Sequence, residues 1–129
     1  MLTEKDYCDK DTCVALKEMG YKGMSRYYYT QRDHKLHYDT YNRFYTVRTA
    51  DAMGYVLAIH LYEAQKFLRE EKDIHIEIPI WLTDDGVWKY NFRLQTREFY
   101  DRAIGEWDTY EEALSEGIKE AVKILKEGK

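Results

Sequence analysis

Residues 74–95, "IHIEIPIWLTDDGVWKYNFRLQ", constrain the fold more than any other part of the chain. Large apolar residues alternate with polar or mixed residues on both sides of an Asp-Asp-Gly turn. A period of two is the signature of a β-strand, because successive side chains point to opposite faces. The segment therefore predicts a β-hairpin with one apolar and one mixed face.

The length of the loop decides which side chains meet across this hairpin. A two-residue loop sets every apolar side chain opposite a polar one. A slip of one residue moves a whole face, so we expect burial of the apolar face to set the register. A three-residue loop, Asp84–Gly86, pairs Leu82 with Trp88 and Ile80 with Tyr90. We predict the three-residue loop, with its glycine in the left-handed conformation at a bulge.

The same register has consequences for the mixed face. It sets Glu77 opposite Arg93 and Trp81 opposite Lys89. Pro79 has no backbone N–H to donate, so we expect its strand to be an edge strand or to be locally bulged.

Two helices are predicted before this hairpin. One covers about 10–19, with Asp9 or Asp11 as its N-cap. The second is centred on 61–72, where apolar residues recur at three-to-four spacing. The same periodicity continues upstream, so the start of the second helix is open between about Asp51 and His60.

A third helix follows the hairpin and is the clearest of the three. Thr109 and Glu112 form the T-x-x-E pattern of a capping box. The apolar residues that follow lie on one helical face, with Ile118 and Val122 near its middle. We expect this helix to make the largest helical contribution to the core.

The segment "RYYYTQRDHKLHYDTYNRFY" is rich in tyrosine and in basic residues. Arg26–Thr30 and Lys35–Asp39 are predicted strands of a hairpin, and Arg43–Val47 is a further run that extends the sheet. The predicted fold is α+β, a mostly antiparallel sheet of about four strands. Three helices pack mainly on one face, in the order α-β-β-α-β-β-α.

Length and composition limit the class of protein. A chain of 129 residues suits one domain, 1–129, and no window has the ~18 consecutive apolar residues of a membrane span. The beginning is polar and acidic, and there are two cysteines, which we interpret as a cytoplasmic protein with reduced thiols. The net charge is −4, yet residues 21–50 hold six Lys and Arg against two Asp and Glu.

Three stretches carry a resemblance to a known group. "CDKDTCVALKEMGY", then "LYEAQKFLREEKDIHIEI", then "YEEALSEGIKEAVKIL" resemble short uncharacterised proteins common in Bacteroidetes genomes and in their phages and prophages. The resemblance covers most of the chain in that order. It implies a bacterial or prophage origin and a second helix that begins near His60, and it implies no site.

Two groups of residues have the types that metal binding or acid–base catalysis requires, and each also fits a simpler structural role. Cys8 and Cys13 with His34 and His37 supply four zinc-type ligands, but loosely spaced cysteines are more often small buried hydrophobes. His75 and Glu77 share a strand face beside Arg93 and Gln95, a pattern that is more often a solvated face than an acid–base pair. We expect no metal, no cofactor and no catalytic residue.

The tyrosine-rich segment is the candidate contact surface. Of three consecutive tyrosines in a strand, Tyr27 and Tyr29 share one face and Tyr28 lies on the other. We predict a small non-catalytic binding or interaction module, whose partner is a protein or a second copy of the chain. The alternative is single-stranded RNA or DNA, with rings stacking bases and cations contacting phosphates through 26–48. The candidate binding residues are Arg26, Tyr27, Tyr28, Tyr29, Lys35 and Arg43.

Overall fold

The computed structural model describes residues 4–38, 40–41, 43–98, 100–102 and 105–128. It is an α+β protein with antiparallel sheets, as predicted. The α-helices of the described residues are α1 (Lys10–Glu18), α2 (Val47–Ala52), α3 (Leu61–Glu71) and α4 (Tyr110–Gly128). None of these helices combines the length and the apolar character that a membrane-spanning helix needs.

The strands are short and form several small sheets. Their bounds are β1 (Met24–Ser25), β2 (Tyr27–Tyr29), β3 (His37–Tyr38), β4 (Tyr45–Thr46), β5 (Val56–Leu57), β6 (His75–Glu77), β7 (Ile80–Leu82), β8 (Trp88–Tyr90), β9 (Arg93–Gln95) and β10 (Tyr100–Arg102). Within the described ranges they pair as β1-β4, β3-β2-β5, β10-β9-β6 and β7-β8, all antiparallel. The predicted single sheet of about four strands with three helices is therefore not confirmed in its detail.

The chain divides into two compact units, Met1–Ala64 and Gln65–Lys129. We call them the first and the second unit and describe each by itself. The prediction of one domain over residues 1–129 stays a prediction.

The first unit is built around strand β2. Its neighbours are β3, where His37 lies opposite Tyr28, and β5, where Leu57 lies opposite Tyr28 on the other side. Helix α1 begins after Asp9, whose side chain accepts a hydrogen bond from the Thr12 N–H at 2.8 Å. Of the two aspartates predicted as the N-cap, Asp9 and Asp11, the cap is Asp9. Asp39, at the end of the predicted second strand, lies outside the described residues.

The segment after β3 differs from the prediction. Arg43–Val47 was expected to be a strand, but only Tyr45–Thr46 pairs with a strand, and helix α2 begins at Val47. Thr46 is the N-cap, and it exchanges hydrogen bonds with Thr49 in a capping box. This local bonding satisfies the first free N–H groups of a helix, which favours a helix over further strand. The next helix, α3, begins at Leu61, close to His60.

The second unit confirms the register predicted from the sequence. Leu82 lies opposite Trp88 and Ile80 opposite Tyr90, and Gly86 has a φ of 82° in the three-residue loop. The Thr83 N–H donates to the Val87 carbonyl at 2.8 Å and closes this loop. The mixed face has the predicted partners as well.

The long hairpin is nevertheless interrupted near Pro79. Strand β6 ends at Glu77 and β7 begins at Ile80, while Glu77 still lies opposite Arg93. The two ladders keep one register, but they belong to different sheets. This agrees with the expectation that a residue without an N–H lies at a break or a bulge.

The face expected to be apolar and buried is buried over only half its length. Ile76 and Leu94, in the ladder beyond the break, are buried, as the alternation predicted. Ile80, Leu82 and Trp88 are 52%, 54% and 53% exposed, so the burial predicted for the hairpin end is wrong. The predicted register forms all the same, because the loop geometry that favours it operates without burial.

Helix α4 supplies core to the second unit, as predicted. Thr109 caps it, because its hydroxyl oxygen accepts from the Glu112 N–H at 3.1 Å. Leu114 and Ile118 are completely buried and Val122 is buried as well, on the face that the sequence indicated.

Candidate functional site

The three consecutive tyrosines of β2 divide between two faces of their sheet. Tyr29 is 3% exposed, and its hydroxyl donates to the Cys8 carbonyl at 2.6 Å. Tyr27 contacts Tyr7, the neighbour of Cys8, whereas Tyr28 contacts a separate set of rings. Burial raises the pKa of Tyr29, so its hydroxyl remains a donor.

Tyr28 lies between two other rings. It stacks on Tyr55, with ring centroids 4.1 Å apart and 13° between the planes, and on His37 at 5.7 Å and 18°. Tyr45 contacts its edge at 5.5 Å. His37 comes from β3 and Tyr55 adjoins β5, so the two rings approach from strands on opposite sides of β2. Tyr28 is thus half-buried in aromatic packing.

The other face of β2 carries a row of neighbouring rings, which we call the aromatic row. In order, the row runs Tyr38, Tyr27, Tyr7, His60 and Tyr62, with centroid separations of 6.1, 4.9, 5.3 and 5.1 Å. The middle is the most buried part, since Tyr7 is 7% exposed, whereas Tyr38 and Tyr62 are 57% and 48% exposed. Both ends of the row are therefore accessible.

A cleft of about 290 Å³ opens beside the middle of the row, and we call it the aromatic cleft. Its lining joins three rings of the row to the residues around β1 and β4. These lining residues are Tyr7, Tyr21, Met24, Ser25, Arg26, Tyr27, Phe44, His60 and Glu63. Met24 and Phe44 are 60% and 61% exposed, so large apolar side chains form its rim.

Charge at the aromatic cleft is mixed. The Arg26 guanidinium lies 6.0 Å from the centroid of the Tyr27 ring, at cation–π distance, and Glu63 supplies a carboxylate. Burial raises the pKa of Tyr7 to about 12, so the Tyr7 hydroxyl is uncharged near neutral pH. The cleft can offer ring faces, one cation and one anion to a partner.

The structure separates the predicted binding residues. Arg26 and Tyr27 line the aromatic cleft, while Tyr29 is in the core and Tyr28 packs between rings. Lys35 and Arg43 are exposed and are not part of the cleft lining; the Arg43 guanidinium lies 5.6 Å from the Tyr41 ring centroid. The candidate set is thus distributed over several surroundings.

The sequence did not indicate several cleft residues. Tyr7 and His60 lie far apart in the chain and are joined by an isolated antiparallel bridge. Phe44 and Met24 come together because β1 pairs with β4, two strands of two residues each. Phe44 belongs to the tyrosine-rich segment, but strands this short have too few residues for a periodic pattern.

Three of the four residues considered for zinc binding, Cys8, Cys13 and His37, have other partners, and His34 is exposed. Cys8 and Cys13 are free thiols in the core, and Cys13 Sγ lies 3.5 Å from the Cys8 carbonyl oxygen. Hydrogen bonding to Cys13 and burial raise the pKa of Cys8. His37 contacts Asp33 at 3.2 Å as well as Tyr28. Among the described residues, no three His, Cys, Asp or Glu side chains are placed to share a metal ion.

The residues considered for acid–base chemistry border a charged depression of about 380 Å³ in the second unit. The Glu77 carboxylate pairs with Arg93 at 3.0 Å. Asp73 contacts Arg97 at 2.8 Å and His75 at 3.6 Å. Each carboxylate therefore has a basic neighbour, as in a solvated face of ion pairs.

Comparison of the chain with protein-family models, with curated proteins and with solved structures gives no match.

Proposed function

We propose that this chain is a small non-catalytic binding module that contacts its partner, a protein, through the aromatic cleft. The observation that carries the proposal is the position of Phe44 and Met24, both more than half exposed, at the rim of a cleft whose wall is Tyr7, Tyr27 and His60. Aromatic residues, Met and Arg are the types that are enriched at protein interfaces.

The size of the cleft supports a small anchor as the inserted group. A space of about 290 Å³ lies at the lower end of ligand-pocket volumes, ~300–1,000 Å³. One apolar or aromatic side chain of a partner fits a space of this kind, with its ring against Tyr27 and Phe44. Arg26 and Glu63 then suit polar groups beside that anchor. This is the arrangement of a hot spot, in which a buried anchor is surrounded by polar contacts.

Single-stranded nucleic acid is the second candidate. It is favoured by Arg26 beside Tyr27 and by the excess of basic residues in 21–50. Bases stack on tyrosine faces, and Arg and Lys contact phosphates. Both candidate partners bind the same cleft, so the salt dependence of binding must distinguish them.

The test begins with a displayed library of random peptides selected on the wild-type protein. Each selected peptide is measured again on Phe44→Ala and on Trp88→Ala, which removes a comparably exposed aromatic ring of the second unit. We expect Phe44→Ala to weaken binding at least tenfold and Trp88→Ala to leave it unchanged. Selected peptides that bind Phe44→Ala as well as wild type contradict the proposal.

The second part of the test uses labelled single-stranded oligonucleotides at low and at moderate salt. Phosphate contacts make affinity fall steeply with salt, whereas an aromatic protein interface depends on salt mildly. The second candidate replaces the first if two results are obtained together. Oligonucleotide binding must depend steeply on salt and be removed by Phe44→Ala, and no selected peptide may lose affinity for Phe44→Ala. Absence of both kinds of binding rejects the cleft as a contact surface.

The setting that we propose for this module is the cytoplasm of a bacterium, with a prophage or phage as the origin of the gene. The proposal rests on the resemblance described above and on the two free thiols. A second copy of the chain is one protein that the cleft can bind, and the oligomeric state in solution tests that case.

A further inference from the structure

The first unit contains a second and larger cavity, of about 510 Å³, whose lining shares Tyr21 with the aromatic cleft and otherwise consists of different residues. Lys17, Lys22 and Arg48 bring three cations to its lining, and Asp51 brings one carboxylate. Its volume lies within the ~300–1,000 Å³ range of small-molecule sites. We call it the cationic cavity.

Its positive charge is only partly neutralised. Lys17 pairs with Asp51 at 3.0 Å. Lys22 and Arg48 are exposed, and neither forms an ion pair with a carboxylate in the described part of the chain. Three cations against one carboxylate leave two positive charges at the lining, in a chain whose net charge is −4.

The rest of the lining is uncharged and consists of Gly20, Tyr21, Thr46 and Val47. Tyr21 is 6% exposed and forms part of the wall with Val47. Gly23 leaves the space that the Tyr21 ring occupies, because a Cβ at Gly23 would lie 2.0 Å from the Tyr21 hydroxyl oxygen. Burial raises the pKa of Tyr21 to about 12, so this wall adds no negative charge near neutral pH.

We infer that the cationic cavity binds a phosphate monoester carried on a small organic group. A phosphate monoester has a charge of about −1.5 to −2 at pH 7, which matches the two positive charges of Lys22 and Arg48. The planar Arg guanidinium can bond two phosphate oxygens at once, and Lys adds a point charge. The Tyr21 side of the cavity then contacts the organic group. This inference does not depend on the aromatic cleft.

A phosphate monoester can belong to a free nucleotide or to the phosphorylated end of a single strand. The experiment therefore compares adenosine monophosphate, adenosine and inorganic phosphate with short oligonucleotides that carry or lack a 5′-phosphate. Binding is followed by two-dimensional NMR of backbone amides at low salt. The variants are the double substitution Lys22→Gln/Arg48→Gln and, as a matched loss of two exposed charges elsewhere, Lys66→Gln/Arg69→Gln.

We expect adenosine monophosphate to shift the amides around Lys22 and Arg48, and adenosine to bind at least tenfold more weakly. Lys22→Gln/Arg48→Gln lowers the affinity at least tenfold, and Lys66→Gln/Arg69→Gln leaves it unchanged. If a 5′-phosphorylated strand binds more tightly than the nucleotide with the same dependence on both residues, the source is a strand end. Equal binding of adenosine and its monophosphate, full affinity in the cavity variant, or no phosphate-dependent shift overturns the inference.

Discussion

Tyr28 stacks on Tyr55 with ring centroids 4.1 Å apart and 13° between the ring planes. Tyr28 belongs to β2, and Tyr55 precedes β5, so the contact joins segments that are 27 positions apart in the chain. An aromatic pair contributes about 0.5–1.5 kcal/mol beyond the area that it buries. The stack therefore helps to hold the β2–β5 pairing in place.

A double-mutant cycle with Tyr28→Ala and Tyr55→Ala measures this contribution. We expect the two single variants to lower the free energy of unfolding by more, in sum, than the double variant does. The expected difference, measured by denaturant unfolding, is about 0.5–1.5 kcal/mol. If the losses of the two single variants sum to the loss of the double variant within about 0.3 kcal/mol, the two rings are not energetically coupled.

Asp73 follows helix α3 in the left-handed conformation, with a φ of 58°. The Ile74 N–H donates to the Leu68 carbonyl at 3.0 Å, so the chain turns back over the last turn of the helix at this residue. We predict that Asp73→Gly raises the free energy of unfolding by about 1 kcal/mol, because glycine has no Cβ strain there. The loss of the contacts of Asp73 with Arg97 and His75 is small, since both partner side chains are more than half exposed.

Asp73→Ala is the control for this prediction. It removes the same carboxylate and keeps the strain, so its stability should be clearly lower than that of Asp73→Gly. Equal stability of the two variants in denaturant unfolding would show that backbone strain at this position has no measurable cost.

Ile118 is completely buried at the middle of α4. Ile118→Ala should lower the free energy of unfolding by about 2–5 kcal/mol, because it leaves a cavity in the core. Lys123→Ala, on the exposed side of the same helix, should change it by less than about 0.5 kcal/mol. A similarly small change for Ile118→Ala contradicts the assigned face.

Alkaline pH should destabilise the first unit. Burial raises the pKa of Tyr7 and of Tyr21 from 10.0 to about 12, and it raises that of Tyr29 further. Above pH 10 the unfolded chain loses these protons and the folded chain keeps them, so stability falls as pH rises. The contribution of these tyrosines to the free energy of unfolding is fully present below pH 10, and it decreases between about pH 10 and pH 12.

Circular dichroism and tyrosinate absorbance, recorded together against pH, check this prediction. Part of the tyrosinate signal should appear only together with unfolding. A smooth titration of every tyrosine near pH 10, with the fold intact, is the opposite result. Tyr21→Phe, which keeps the ring and removes the ionising group, should move the unfolding to higher pH.

The register of the 74–95 hairpin was predictable, whereas its burial was not. The Asp-Asp-Gly loop and the alternating residues are local, so they fix which residues are opposite one another. Burial depends on contacts with residues that are distant in sequence. These contacts decide which part of the apolar face packs against the rest of the unit. Ile76 is buried by such contacts, while Leu82 and Trp88 are exposed on a two-stranded sheet.

The aromatic cleft was only partly predictable for a related reason. Arg26 and Tyr27 belong to the tyrosine-rich segment, and strand alternation correctly separates Tyr28 from Tyr27 and Tyr29. Tyr7 and His60 join the cleft through an isolated bridge, which leaves no periodic signal. Helix α2 was missed because its Thr46–Thr49 cap interrupts a run that reads as β-strand.

The aromatic cleft is the contact surface that we propose for this protein. The most direct measurement is NMR of the uniformly labelled protein with a selected peptide, following amide and aromatic signals of both exposed apolar regions. We expect the signals of Tyr27, Phe44 and His60 to shift and broaden with the peptide, while those of Leu82 and Trp88 stay unchanged. Shifts confined to Leu82, Trp88 and their hairpin, with the cleft signals unmoved, would contradict the proposal.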